Sequence, residues 1–246
     1  KNMRLSSVPQ IIDFDPFETR TEAEATHALG EAIILADQRV FRHGVVGASD
    51  ITRGKLQIAA TPIANHVNRA CGAAALGATA VTVTPGATAG AANLYSEGYL
   101  VINDVDGEGA TYQIKDHLAI TASTAFVVNL FDPINGVALT ANSEASLVHN
   151  SYKNVVEGTT TTIRAAGVPL DNIATGDYGW FQSKGVAAVL RQGTTSAGSP
   201  QMVGSVAGSI TDITDVTAPV IERVVAWADI LVGVDTEYNP VTLCID

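Results

Sequence analysis

The chain is 246 residues long with a formal net charge of −11, and it is 46% hydrophobic but only 16% charged, against about 25% charged in an ordinary soluble domain. This length and apolar content suffice for one large or two small folded cores and exclude a disordered chain. The acidic balance, with a pI near 4.7, excludes nucleic-acid binding through a basic patch and disfavours an anionic membrane surface, so neither is expected as a partner.

Residues 1–20, KNMRLSSVPQIIDFDPFETR, have no clear apolar period, and Pro9 and Pro16 break any helix. They predict an extended N-terminal arm, without the apolar core of a signal peptide. Thr21-Glu22-Ala23-Glu24 fits a capping box, so a short helix is expected over Thr21–Leu29, stopped by Gly30. In EAIILADQRVFRHGVVG, residues 31–47, two β-rich runs flank Asp37-Gln38 and predict a hairpin. ITRGKLQIAA predicts a strand with a turn at Arg53-Gly54, and residues 61–71 a short helix or loop. Residues 72–92 are biased to Ala, Gly and Thr; inside them Ala80–Thr84 alternates as a strand, and Pro85-Gly86 makes a turn. The weakly polar stretch from Ala70 to Val83 is shorter than the ~18 apolar residues of a membrane span.

From Tyr95 onward, strand-like runs follow one another: YLVIND, ATYQIKDH, LAITAS, AFVVNLFD, VALTAN, ASLVHNSY, NVVEG and TTTTIRAAGVPL. Glycine punctuates the segment GDYGWFQSKGVAAVLRQGTTSAGSPQMVGSVAGSI, and residues 218–230 fit either a strand or a helix. Short strands between Gly, Pro and Asn turns predict a mainly β protein, built of sandwich- or barrel-like lobes with at most short helices. The expected divisions are the arm (1–20), an N-terminal β region (21–93), a middle β region (94–157) and a C-terminal β region (158–246). The N- and C-terminal regions can pack as one lobe.

Few residues carry chemistry. In Asn103-Asp104-Val105-Asp106-Gly107-Glu108-Gly109, Asp104, Asp106 and Glu108 take the alternate positions of a calcium loop and Gly109 its sixth. The twelfth position, which needs a bidentate Glu, is Lys115, and the flanks are β rather than helical. The first reading is therefore a hairpin tip turning at Asp106-Gly107; the second is a cation site on Asp104, Asp106 and Glu108. Two of Asp104, Asp106, Glu108 and Asp116 could serve as a glycosidase pair, but aromatic residues are only 6% of the chain. His27, His43, His66, His117 and His149 lack metal spacing, no nucleophile or phosphate-loop motif occurs, and Cys71 and Cys244 are expected as buried thiols. Trp180 is expected in the core or an interface, and Trp227, within VVAWADI, in the core. No catalysis and no cofactor are expected.

Two stretches carry a resemblance. One is GDYGWFQSKGVAAVLRQGTTSAGSP (176–200), continuing to GSVAGSI and APVIERVVAWA; the other is EGYLVINDVDGEGATYQIKDH with LFDPI after it. Together with EAIILADQRVFRHGVVGASDITRGKL, they resemble the decoration, or cement, proteins of tailed-bacteriophage capsids. The resemblance rests on glycine-and-β patterns over the last two thirds of the chain and transfers no binding residue. It implies a β-rich virion protein on the capsid exterior, a homotrimer at three-fold positions that clamps neighbouring major capsid proteins. The low charge suits it, since a subunit largely covered by partners needs little solvated surface; a Thr/Ser-rich β surface explains the same composition. The alternative is a tail or surface binding module for a carbohydrate or receptor, assisted by calcium at the acidic turn.

Overall fold

The computed structural model describes residues 14–21, 27–159, 163–213, 224–230 and 233–246. Within them the protein is nearly all β, and every named strand pair is antiparallel. No helix among these residues is long and apolar enough to cross a membrane.

The strands form two sheets. The smaller is built from one stretch of chain: β5 (Arg69–Ala70), β6 (Ala80–Val83), β7 (Tyr99–Asp104), β8 (Thr111–His117), β9 (Phe126–Leu130) and β10 (Glu144–Val148), in the order β5-β10-β7-β8-β9-β6. Its ends meet: Cys71 bridges Val83, Gly72 N–H donates to Thr82 O at 2.8 Å, and Thr84 N–H to Ala70 O at 3.0 Å. The sheet thus curls onto itself and leaves no long free edge, which removes a site of unwanted strand pairing. Alternation fills its interior: Leu100 and Ile102, Tyr112 and Ile114, Val81 and Val83 point inward and join a core drawn entirely from residues 71–147.

The larger sheet takes strands from both ends of the chain. Its N-terminal members are β1 (Thr19–Arg20), β2 (Ala32–Ile34), β3 (Val40–Val45) and β4 (Gln57–Ile58). The others are β11 (Val156–Glu157), β12 (Ala165–Pro169), β13 (Tyr178–Leu190), β14 (Pro200–Val203), β15 (Ile210–Asp212), β16 (Ala226–Ala228) and β17 (Tyr238–Cys244). The hub is β13: its first half pairs with β3, β1 and β12, and its second half with β17 in unbroken register from Lys184↔Cys244 to Leu190↔Tyr238. The path continues β17-β16-β14-β15.

Several expectations meet the described structure directly. The hairpin at Asp37-Gln38 forms, with Gln38 at φ +70° and Leu35 N–H donating to Arg39 O at 2.9 Å. The boundary expected at 93/94 falls inside the smaller sheet, between β6 and β7. The runs LAITAS and VALTAN contribute only single bridges, Gly90↔Ile120 and Ala74↔Leu139. Pro85-Gly86 is not a turn but an extended contact: Gly86 N–H donates to Asn65 O at 2.6 Å, against the 3-10 turn Ala64–His66. The expected arm lies outside the described residues up to 13. From Phe14 onward it is docked, the Phe14 ring lying 5.0 Å from Trp180 and 5.3 Å from Phe41, and β1 joins the sheet. The helix expected over Thr21–Leu29 lies mostly outside the described residues, as does the first half of 218–230; Ala226–Ala228 is a strand.

Candidate functional site

The acidic stretch 104–109 is the tip of the β7–β8 hairpin. Val105, Gly107 and Gly109 sit at φ +66°, +83° and +83°, a left-handed conformation that the glycines adopt freely and that strains the β-branched Val105. The carboxylates are spent locally or not at all: Asp104 Oδ1 accepts from Val105 N–H at 2.8 Å, and Ser143 Oγ donates at 2.8 Å to the backbone carbonyl of Asp106 rather than to its carboxylate. Among the described residues no group of three or more His, Cys, Asp and Glu is gathered to hold a metal, Asp104, Asp106 and Glu108 included. Millimolar calcium is expected to leave the melting temperature unchanged. A rise of several degrees, measured by scanning calorimetry, would restore the cation reading. Asp116, the other acid considered, accepts from Asn129 Nδ2 at 2.5 Å across β8 and β9.

The histidines are structural. His66 is fully buried; its Nε2 lies 2.8 Å from Thr88 O and its Nδ1 2.6 Å from the Tyr95 hydroxyl. His117 Nε2 accepts from Tyr95 N–H at 3.0 Å while its Nδ1 lies 2.7 Å from Leu118 O. His149 lies against Tyr95 with ring centroids 4.5 Å apart. Burial pushes His149 down to about 4, with His66 and Lys153 adding repulsion, and lowers His117 as well. His43, packed on Trp180 in the larger sheet, is also lowered, again first by burial and then by His27.

The neutral forms are thus the ones the fold favours. Their stabilisation is complete above the unfolded value near 6.5 and is lost as pH falls from there towards about 4. Acid titration followed by urea denaturation is expected to show this loss. H149F, which keeps the ring contact but cannot take a proton, should remove about 1–2 kcal/mol of it. An unchanged profile in H149F would remove His149 from this account.

Cys71 and Cys244 are both free; Cys71 is buried in the core of the smaller sheet, while Cys244 is half-buried on the larger one. Neither is poised as a nucleophile, since burial raises both thiols.

The feature with the chemistry of a binding site is an outer face. Along the second half of β13 and along β17, alternate residues point into a core of Val189, Val203, Val241 and Leu243. The intervening ones point out: Lys184, Val186 and Ala188 from β13, and Tyr238, Pro240 and Thr242 from β17. β16 adds Trp227, paired with Thr242 on one side and Pro200 on the other. Val186 is 61% exposed, Tyr238 48% and Trp227 45%. A row Val186–Thr242–Trp227–Pro200 therefore crosses four strands as direct neighbours. It continues into an open groove whose lining includes Thr52, Arg53, Gly54, Leu170, Ala188 and Tyr238. Scattered exposed apolar residues are ordinary, whereas a contiguous apolar patch on a protein of net charge −11 is the candidate for a contact surface.

Trp180 is core, 3% exposed. Trp227 is not, which corrects the expectation for it. In Ala226-Trp227-Ala228 the small neighbours occupy the inward positions and the tryptophan takes the outward one. That alternation was the available signal, masked by reading VVAWADI as one apolar run. Comparison of the chain with protein-family models, with curated proteins and with solved structures gives no match.

Proposed function

We propose that this chain is a structural virion protein, decorating a phage capsid and stabilising it by bridging neighbouring major capsid proteins. The observation that carries the reading is the exposed apolar patch of Val186 and Trp227 around Thr242 on the outer face of the larger sheet. On the other sheet Leu118, 82% exposed, and Val127, 50% exposed, line one open pocket together, which is a candidate second contact surface. Two surfaces on two independently cored lobes are what a bridge between neighbours requires, and several copies joined together raise avidity without raising any single affinity. Three copies around a three-fold position is the arrangement the resemblance implies. The reading assigns no reaction to the chain.

The test is cosedimentation of the purified protein with expanded phage capsids stripped of decoration. Binding that raises the temperature at which the capsids lose their DNA, and that weakens at least about tenfold in W227A, supports the proposal. Failure of the wild-type protein to sediment with any such capsid overturns it.

A further inference from the structure

Lys184 and Asp229 flank the apolar patch on the outer face, placed so that the patch is complementary to itself, while a further charge, Arg53, lines the adjoining groove. Lys184 lies on β13, at the level of Cys244 on β17, and makes no ion pair among the described residues. Asp229 follows β16 on the other side of β17; its N–H donates to Pro240 O at 3.3 Å and its Oδ2 accepts from Thr242 Oγ1 at 2.9 Å, which holds the carboxylate on the outer face. Both are exposed. Between them lie Val186, Thr242 and Trp227. Arg39, which packs beside Gly185, is already paired with Asp37 at 2.7 Å.

A two-fold axis in the plane of the face, bisecting the line from Lys184 to Asp229, sets each lysine over the other copy's aspartate and Trp227 over uncharged surface. One cation and one anion on opposite sides of an apolar patch is the arrangement an isologous contact needs. A chain of net charge −11 repels its own copies, so self-association must use a surface where that repulsion is absent.

We infer that a second copy of this chain seats face to face on this surface, with Lys184 and Asp229 forming two reciprocal ion pairs around Trp227. The pair takes the same face as the proposed capsid contact, so the two compete for Trp227, and the pair stands or falls without the capsid reading. Four strands and three to four outward rows give a face of roughly 400 Å². That is about half of the ~800 Å² per partner in a stable complex, so the pair forms and dissociates with concentration. Pairing produces even assemblies: two chains, or six where pairs join three-fold rings.

Sedimentation velocity over a concentration series tests it with the full chain. The wild type is expected to move towards two or six copies as concentration rises. K184E and D229K, each placing like charges opposite one another, should each weaken the pair at least about tenfold. An equimolar mixture of K184E and D229K should restore it, because the introduced glutamate of one then faces the introduced lysine of the other; the double variant K184E/D229K should restore it too. Circular dichroism checks that these surface variants keep the fold. A mass of one or three copies at every concentration, or an even assembly indifferent to both charge reversals, overturns the inference. Capsid binding with the pair lost would refute the pair and leave the decoration reading standing; a charge-dependent pair that ignores capsids does the reverse.

Discussion

Replacing Arg191 with alanine is expected to destabilise the protein by about 3–5 kcal/mol, among the largest effects of any single substitution in the larger sheet. Arg191 is 1% exposed. Its guanidinium donates Nε–H to Gly193 O at 3.1 Å, Nη2–H to Thr194 O at 2.9 Å and to Asp212 Oδ1 at 2.7 Å, and Nη1–H to Gln201 Oε1. Thr195 Oγ1 and Gln201 Nε2 each donate to the same carboxylate oxygen at 2.6 Å. Alanine leaves a buried amide oxygen and two carbonyls without their arginine donor and takes one of three donors, the only charged one, from the Asp212 carboxylate. The desolvation of Asp212 is then offset only by Thr195 and Gln201, with no cation beside the carboxylate.

Burial alone would raise the Asp212 carboxyl; the hydrogen bonds from Thr195, Gln201 and Arg191 outweigh it and hold the group below its ordinary value. A depressed carboxylate stabilises the fold fully above its unfolded value of about 3.9 and loses that contribution as pH falls through the folded value. The R191A deficit should therefore shrink below about pH 4, a window lower than the histidine loss between about 6.5 and 4. Urea denaturation of R191A at pH 7 and at pH 3.5 measures both parts. Equal midpoints for variant and wild type at pH 7 would mean that the network adds nothing to stability.

How much of this was legible in the sequence depends on the range of the interaction that fixes each feature. The hairpin at Asp37-Gln38 and the tip at Asp106-Gly107 follow from local turn chemistry and were read from it. The smaller sheet was not: its strands β5 and β6 lie around the Ala/Gly/Thr-biased stretch, and only the Cys71–Val83 bridge with the backbone bonds beside it shows that they close the sheet. Likewise β3 and β13 pair across more than a hundred residues, a partnership no local pattern encodes. Gly179 and Gly185, read as punctuation, lie inside one 13-residue strand. Gly185, at φ +86°, sits where the pairing with β3 shifts register and the pairing with β17 begins, a bend rather than a break. Arg191 itself was visible in principle. Its parity with Ala187 and Val189 places it inward, but an arginine before Gln-Gly reads as a solvated strand end. The acidic turn drew attention through composition, whereas the outer face became visible only when register set Val186, Thr242 and Trp227 side by side.

The second large effect is expected at Gly98, where the two lobes meet. Gly98 N–H donates to Tyr95 O at 2.9 Å and Gly98 O accepts from Ile114 N–H at 2.9 Å. The residue before it, Glu97, ties the lobes together: its Oε2 accepts from Leu29 N–H at 2.7 Å and its carbonyl from Asn150 Nδ2 at 3.1 Å. A Cβ on Gly98 would lie 3.0 Å from both Asn150 N and Tyr95 O and closer still to Val148 O. All three are backbone atoms, so no rotamer change relieves the contact. Relief requires β7 to part from the end of β10 at the Tyr99↔Val148 pair, loosening the junction that Tyr95 and His149 pack. G98A should therefore lose about 2–4 kcal/mol, with hydrogen-exchange protection falling first in β7 and β10. Gly107 supplies the contrast. It lies at φ +83° and its Cβ would meet Leu139 Cδ2 at 2.6 Å, the far end of a side chain that can rotate away. G107A should thus lose only the left-handed backbone penalty of about 1–2 kcal/mol. If G98A melts with the wild type while G107A does not, strand β7 has room at the junction, and the lobes are coupled less tightly than the Glu97 and Asn150 bonds imply.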